Sequence, residues 1–140
     1  MTKATTMGPP PSLAKLSAGY ECLERAERAL VQARGSDKDN WRYIYAHMAA
    51  LRVAATVLAV RTRPRSVRGR RNAWVLLAEV APEMAEWADF FAAAAAKRTA
   101  AETSTSAVVT RREADDLIRA SEQFIEVVEQ CLGLPSVVAQ

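Results

Sequence analysis

The chain has few of the residues on which disulfide-bonded, metal-binding or cofactor-binding proteins depend. Its 140 residues include only two cysteines, one histidine and five glycines, and 6% of them are aromatic. Cys22 and Cys131 fall within helical patterns, which favours buried thiols in a reducing cytosol over a disulfide framework. Because no second histidine or cysteine cluster accompanies the acidic side chains, we expect no metal site and no cofactor.

Signals for export, membrane insertion and covalent catalysis are also missing from the sequence. The first residues, MTKATTMGPPPS, contain no apolar core of the kind found in a signal peptide. The longest apolar run contains His47 and Arg52, which makes it a poor membrane span. No glycine-rich phosphate loop and no recognisable nucleophile constellation is present. These absences predict a cytoplasmic protein that does not enter a membrane.

Alanine is abundant, and the apolar residues recur at helical spacing. The chain contains 28 alanines, a composition that strongly favours helix, and no segment alternates as a strand does. The apolar periodicity predicts five helices, at residues 12–35, 40–62, 71–81, 82–101 and 110–132.

Turn and cap residues mark the ends of these helices. Gly35 is predicted to end the first helix in a left-handed conformation, and Gly133 is predicted to end the last helix. Thr110 and Glu113 match a capping box at the start of the last helix. The sequence therefore predicts an all-α fold, an antiparallel up-and-down bundle of four to five helices over residues 12–134. Residues 1–11 are expected to form a flexible N-terminal tail and residues 135–140 a short C-terminal tail.

The second helix is apolar around most of its circumference between residues 43 and 60. A helix of a small bundle normally leaves one face to water, so this helix needs cover on every side. It is either central among five helices or packed against a second copy of the chain. We favour a homodimer through the 43–60 helix, because two-fold pairing is the commonest oligomer.

A basic segment follows the second helix. Residues 61–71, RTRPRSVRGRR, contain six arginines and no acid, whereas the remainder of the chain is net acidic. Such a segment is typical of a phosphate-binding surface that follows an RNA or DNA backbone. The candidate phosphate-binding residues are Arg61, Arg63, Arg65, Arg68, Arg70 and Arg71. A solvated basic loop, or a docking loop for an acidic partner protein, explains the composition equally well.

Arg42 and His47, separated by four residues in RYIYAH, match the Arg-x4–6-His motif of HEPN-domain proteins (higher eukaryotes and prokaryotes nucleotide-binding). The segments AHMAALRVAATVLAVRTRPR, APEMAEWADFFAAAAAKR and READDLIRASEQF resemble a small stand-alone HEPN family of actinobacteria, and the resemblance covers roughly residues 12–134. It implies a dimeric helical bundle whose two motifs face a cleft near the two-fold axis. In active members the histidine transfers protons and the arginine holds the phosphate during metal-independent RNA cleavage.

The resemblance leaves three functions open. The first is a cytoplasmic HEPN bundle that binds RNA or a nucleotide without cleaving it, in a stress-response or toxin–antitoxin setting. The second is an active endoribonuclease with His47 and Arg42 as catalytic residues, and the third is a protein-interaction module. We favour the first, because a lone histidine on an apolar flank is usually a packed core residue. Arg42, in the first helical turn, can likewise pair with Asp39.

Overall fold

Five α-helices make up most of the chain. The structure, a computed structural model, describes residues 10–62 and 72–137. The helices are α1 (Leu13–Gly35), α2 (Asp39–Arg61), α3 (Ala73–Val80), α4 (Ala85–Thr103) and α5 (Arg111–Leu132), with a short 3-10 helix at Pro82–Met84. The described residues form no strand. The all-α helical bundle predicted from the sequence is therefore confirmed.

Side-chain caps fix the ends of several helices. The Ser12 hydroxyl accepts a hydrogen bond from the Lys15 amide at 3.2 Å and begins α1. At the start of α5, Thr110 accepts from the Glu113 amide at 3.0 Å while the Glu113 carboxylate accepts from the Thr110 amide at 2.9 Å. This reciprocal pair is the predicted capping box, and it satisfies two amides that lack partners inside the helix.

The two predicted glycine ends behave differently. Gly133, with a φ of 68°, is left-handed and ends α5. Gly35 is the last residue of α1 and has no positive φ, so the predicted left-handed cap at this position is wrong. The carbonyls at this end of α1 accept hydrogen bonds from the Arg42 side chain instead, as described below.

Helix α2 lies at the centre of the bundle. It contacts α1, α3, α4 and α5, and its largest interfaces are with α1 and α5. By length and apolar composition alone α2 could cross a membrane, a test that the core helix of a bundle also passes. Its burial here comes from the four helices around it. The apolar circumference of α2 is therefore explained by its central position.

One stripe of α2 is covered only in part. Tyr45, Met48, Arg52, Ala55 and Ala59 recur at three- and four-residue spacing and are half-buried. Since its own chain covers the remainder of α2, the apolar composition does not require a second copy of the protein. The homodimer through the 43–60 helix stays a prediction, but the apolar circumference of this helix no longer argues for it.

Candidate functional site

The Arg42 side chain holds the C-terminal end of α1. Its Nη1 donates to the carbonyl oxygens of Ala33 at 3.2 Å, Arg34 at 3.0 Å and Ser36 at 3.4 Å. The last carbonyls of a helix have no partner within the helix, and they carry its negative dipole end. The guanidinium therefore supplies both the donors and the positive charge that this helix end needs, and no left-handed glycine is required there.

The same guanidinium joins α2 to α5. Arg42 Nη2 lies 2.6 Å from Asp115 Oδ1, and the Arg42 side chain is only 12% exposed. Arg42 Nε is buried and lacks a hydrogen-bond partner among the described residues. Asp39, which we considered as the partner of Arg42, instead pairs with Arg111 at 2.6 Å. Arg42 is thus committed to contacts within the fold, and its partner is Asp115 rather than Asp39.

His47 lies on another side of α2, inside the core. The residue is 2% exposed, and its Nε2 lies 2.9 Å from the carbonyl oxygen of Phe91 in α4. Because a carbonyl oxygen only accepts, the imidazole must carry its proton on Nε2. The unprotonated Nδ1 then accepts from Nη1 of Arg98 at 3.4 Å. Both ring nitrogens are therefore engaged with the protein itself.

The surroundings of His47 favour its neutral form. The rings of Trp74 and Phe91 pack edge-on against the imidazole at centroid distances of 5.8 and 6.5 Å. Burial lowers the pKa of His47 below its ordinary value, and the nearby positive charge of Arg98 lowers it further, against the opposing effect of the Phe91 carbonyl. Arg98 is in turn held by Glu102 at 3.2 Å. A neutral, doubly bonded histidine is the state that this environment stabilises.

Arg42 and His47 belong to two separate networks. Five residues along an α-helix correspond to a rotation of about 140°, so the two side chains leave α2 in different directions. Arg42 reaches α1 and α5, whereas His47 reaches α3 and α4. The two do not bound a common cleft within one protomer. Their catalytic roles across a two-fold axis stay a prediction.

Sequence reasoning missed the partners of the motif. Asp115 and Arg98 lie 73 and 51 residues away from the side chains that they contact. No local pattern identifies such partners, because they depend on how α4 and α5 pack against α2. Arg98 does continue the apolar spacing of Phe91 and Ala95 along α4 and is half-buried there, and a charged residue at such a position needs a partner, although its register does not say which.

The arginine-rich segment is described only at its beginning. Arg61, the last residue of α2, donates to Glu83 Oε2 at 2.6 Å and to Cys131 Sγ at 3.3 Å. Burial raises the pKa of Glu83, but the hydrogen bond and the positive charge of Arg61 lower it further, so that the pKa lies below its ordinary value. Arg61 is therefore already paired with an acid. The other predicted phosphate-binding residues, Arg63, Arg65, Arg68, Arg70 and Arg71, lie outside the described residues.

The aromatic residues around the motif have different positions. Tyr43 is buried, and burial raises the pKa of its hydroxyl above the ordinary value. Trp41 is 47% exposed and lies against half-buried Tyr45 with the ring centroids 5.8 Å apart. Residues 10–62 and 72–137 contain no group of three acidic, histidine or cysteine side chains placed to hold a metal ion. Tyr43 therefore belongs to the core, whereas Trp41 packs on Tyr45 nearer the surface.

A five-helix bundle whose central helix carries an arginine and a histidine separated by four residues matches the HEPN class of helical domain. A family model described as SAV_6107-like HEPN matches residues 33–129, more than half of the chain, and the chain belongs to this family. Neither the curated proteins nor the solved structures include a significant match. The matched range contains both networks, from the α1 carbonyls bound by Arg42 to Asp115 and Arg98.

Proposed function

We propose that this HEPN bundle binds RNA through its arginine-rich segment and does not cleave it. The observation that carries the proposal is that Arg42 and His47 are both hydrogen-bonded to other parts of the helical bundle. Arg42 holds three carbonyls and Asp115, and both nitrogens of His47 are bonded inside the core. A motif that is occupied in this way is part of the scaffold.

Catalysis by this pair would require different surroundings. A general acid or base must be within hydrogen-bond reach of the substrate, and its pKa must lie near the working pH. His47 is almost fully buried, and its pKa is lowered. An arginine that binds phosphate needs free guanidinium donors, whereas Nη1 and Nη2 of Arg42 are already bonded to the end of α1 and to Asp115. Both features favour binding without cleavage.

The binding half of the proposal rests on charge. Residues 61–71 carry six arginines and no acid. Arginine pairs with phosphate through two parallel hydrogen bonds, and several arginines in one segment match the repeated phosphates of a nucleic acid better than one nucleotide. Membership of the HEPN family, whose members often act on RNA or nucleotides, points to the same class of ligand.

Binding and cleavage are tested together with a fluorescently labelled single-stranded RNA in the presence of chelator. We expect the logarithm of the association constant to fall linearly with the logarithm of the salt concentration. The expected slope is about −3, which corresponds to four to five phosphate contacts. Replacement of Arg63, Arg65, Arg68, Arg70 and Arg71 by glutamine is expected to abolish binding. The RNA is expected to stay intact on a denaturing gel.

Two results overturn the proposal. RNA cleavage that disappears in a folded His47→Ala variant identifies an active endoribonuclease. RNA binding that is absent from the wild-type protein, or unchanged in the five-arginine variant, removes the binding half. Binding of an acidic protein in place of RNA then supports an interaction module instead.

A further inference from the structure

We infer that the groove between α3 and α4 binds a short segment of a partner protein, one that presents a large apolar side chain between two basic ones. This surface involves neither Arg42 nor the arginine-rich segment, and it does not depend on RNA binding. Every residue that lines the groove lies between 72 and 92, within the part of the chain that the structure describes. The size, the lining and the charge of the groove each limit what can occupy it.

The groove follows the contact between two helices that a short connection joins. The 3-10 helix at Pro82–Met84 links α3 to α4, and the two helices pack against each other. The groove has a volume of about 350 Å³. Because a cavity of roughly 150 Å³ holds a benzene ring, this volume accommodates one large apolar side chain and part of its neighbours. Along α3 the groove extends from Asn72 to Glu79, about 10 Å, which is the length of three residues of extended chain.

Small side chains leave the space between the two helices. The lining includes three alanines, namely Ala78 of α3 and Ala88 and Ala92 of α4. Trp74 also lines the groove and is buried, with its ring stacked on that of Phe91 at a centroid distance of 5.4 Å. The core therefore holds the indole in place, and the groove offers a fixed apolar surface.

The rim of the groove is exposed to solvent. Val75 is 49% exposed, and Asp89 and Ala92 are exposed as well. Exposed apolar surface with polar residues at its edge is typical of a protein-interaction site. An apolar side chain that enters the groove leaves water, which favours binding through the hydrophobic effect.

The charge of the groove is negative. One acid lies on each wall, Glu79 on α3 and Asp89 on α4. Within residues 10–62 and 72–137, Asp89 forms no hydrogen bond or ion pair. The sequence from 73 to 96 contains four acids and no base, and among these acids Glu83 is paired with Arg61. The groove therefore attracts a ligand of positive charge and repels a phosphate backbone.

A partner segment of the form Lys-x-Leu-x-Lys has the required properties. In an extended chain, residues two apart point to the same side, so the leucine lies between two lysines on one face. The leucine enters the groove while the ammonium groups lie near its acidic walls. A metal ion is a poor alternative, because the described residues contain no group of three acidic, histidine or cysteine side chains placed to hold one.

The test uses NMR of nitrogen-15-labelled protein with defined peptides. Two probes carry the sequence Lys-Ser-Leu-Ser-Lys or the same sequence with phenylalanine in place of leucine. Two control peptides replace both lysines by glutamate, or the leucine by alanine. We expect both probes, at about 1 mM, to shift amide signals of residues 72–92, since a complex with a dissociation constant near 1 mM is then about half formed. Each control peptide should bind at least tenfold more weakly.

Two variants, each with a matched control, test charge and shape separately. Asp89→Lys replaces attraction by repulsion on the α4 wall and should weaken binding of the leucine probe roughly tenfold. Glu126→Lys, at an exposed acid of α5 outside the groove, should stay within twofold of the wild type. Ala92→Leu fills the groove and should abolish binding, whereas Ala93→Leu, at an exposed position of α4 that does not line the groove, should not. Circular dichroism shows whether each variant is folded.

Four results overturn the inference. They are the absence of binding by both probes, signal shifts that lie outside residues 72–92, equal affinity in Asp89→Lys and Glu126→Lys, and self-association of the wild type that Ala92→Leu abolishes. The last result identifies a second copy of the chain as the occupant. RNA binding should be no weaker in Ala92→Leu than in the wild type, so the proposed RNA function and the groove can fail separately.

Discussion

Replacing Arg42 by alanine removes the contacts that join α1, α2 and α5. Nη1 has two hydrogens, so it satisfies at most two of its three carbonyl contacts fully, each contributing about 1 kcal/mol. The ion pair with Asp115, whose side chain is 39% exposed, contributes about 1 kcal/mol more after allowance for solvent screening. We therefore expect Arg42→Ala to lower the free energy of unfolding by roughly 3 kcal/mol, a large share of the stability of a small domain.

The assay is equilibrium unfolding in urea, followed by circular dichroism at 222 nm. Three control variants divide the effect into its parts. Asp115→Ala removes the ion pair and leaves the carbonyl contacts, so a loss of about 1 kcal/mol is expected. Arg42→Lys keeps the charge but not the planar fork of donors, and should lie between the wild type and Arg42→Ala. Arg119→Ala breaks an exposed pair with Asp116 and should change stability by less than about 0.5 kcal/mol.

A loss smaller than about 0.5 kcal/mol in Arg42→Ala refutes the structural role of this residue. The same conclusion follows if Arg42→Ala keeps its stability while an RNA-cleaving activity of the wild type disappears. In that case Arg42 acts on substrate, and its contacts with α1 are incidental.

Three further changes test other parts of the structure. Because burial lowers the pKa of His47 in the folded protein, the unfolded chain binds more protons, and the free energy of unfolding should fall as the pH drops below about 6.5. The fall should be smaller in His47→Gln. Equal pH profiles of urea unfolding in the two proteins would contradict this. A Cβ on Gly19 would lie 2.7 Å from Val60 Cγ2, so Gly19→Ala should lower the melting temperature even though alanine favours helix more than glycine does. Adding Val60→Ala to Gly19→Ala should restore part of the loss. A higher melting temperature in Gly19→Ala alone would show that the Val60 side chain moves aside at little cost. Thr110→Ala removes the capping box and should cost about 1 kcal/mol in urea unfolding, and an unchanged midpoint would argue against it.

The helices could be predicted because their signals are local. Apolar spacing, the Thr110 capping box and Gly133 all lie within a few residues of the structure that they specify. The prediction of a left-handed helix end at Gly35 was wrong because Arg42, which belongs to the next helix, donates hydrogen bonds to the last carbonyls of α1 from its side chain. A local pattern does not include such a contact.

The environment of the motif could be predicted only in part. The rotation of α2 between Arg42 and His47 follows from helix geometry, and the packed histidine was one of the two alternatives that we considered. The apolar circumference of α2 was compatible both with a central position and with a second subunit, because hydrophobic periodicity shows which faces are covered but not what covers them. Asp115 and Arg98 depend on tertiary packing, which the sequence pattern does not specify.

The state of the single histidine tests the central claim most directly. His47 is the chain's only histidine, so its imidazole signals in a nitrogen–proton NMR spectrum of labelled protein need no assignment by mutation. If the motif is part of the scaffold, His47 stays neutral with its proton on Nε2 and titrates below 6.5, or not before the protein unfolds. An imidazole that titrates at or above 6.5 in the folded protein, and whose signals shift when RNA is added, would contradict the account.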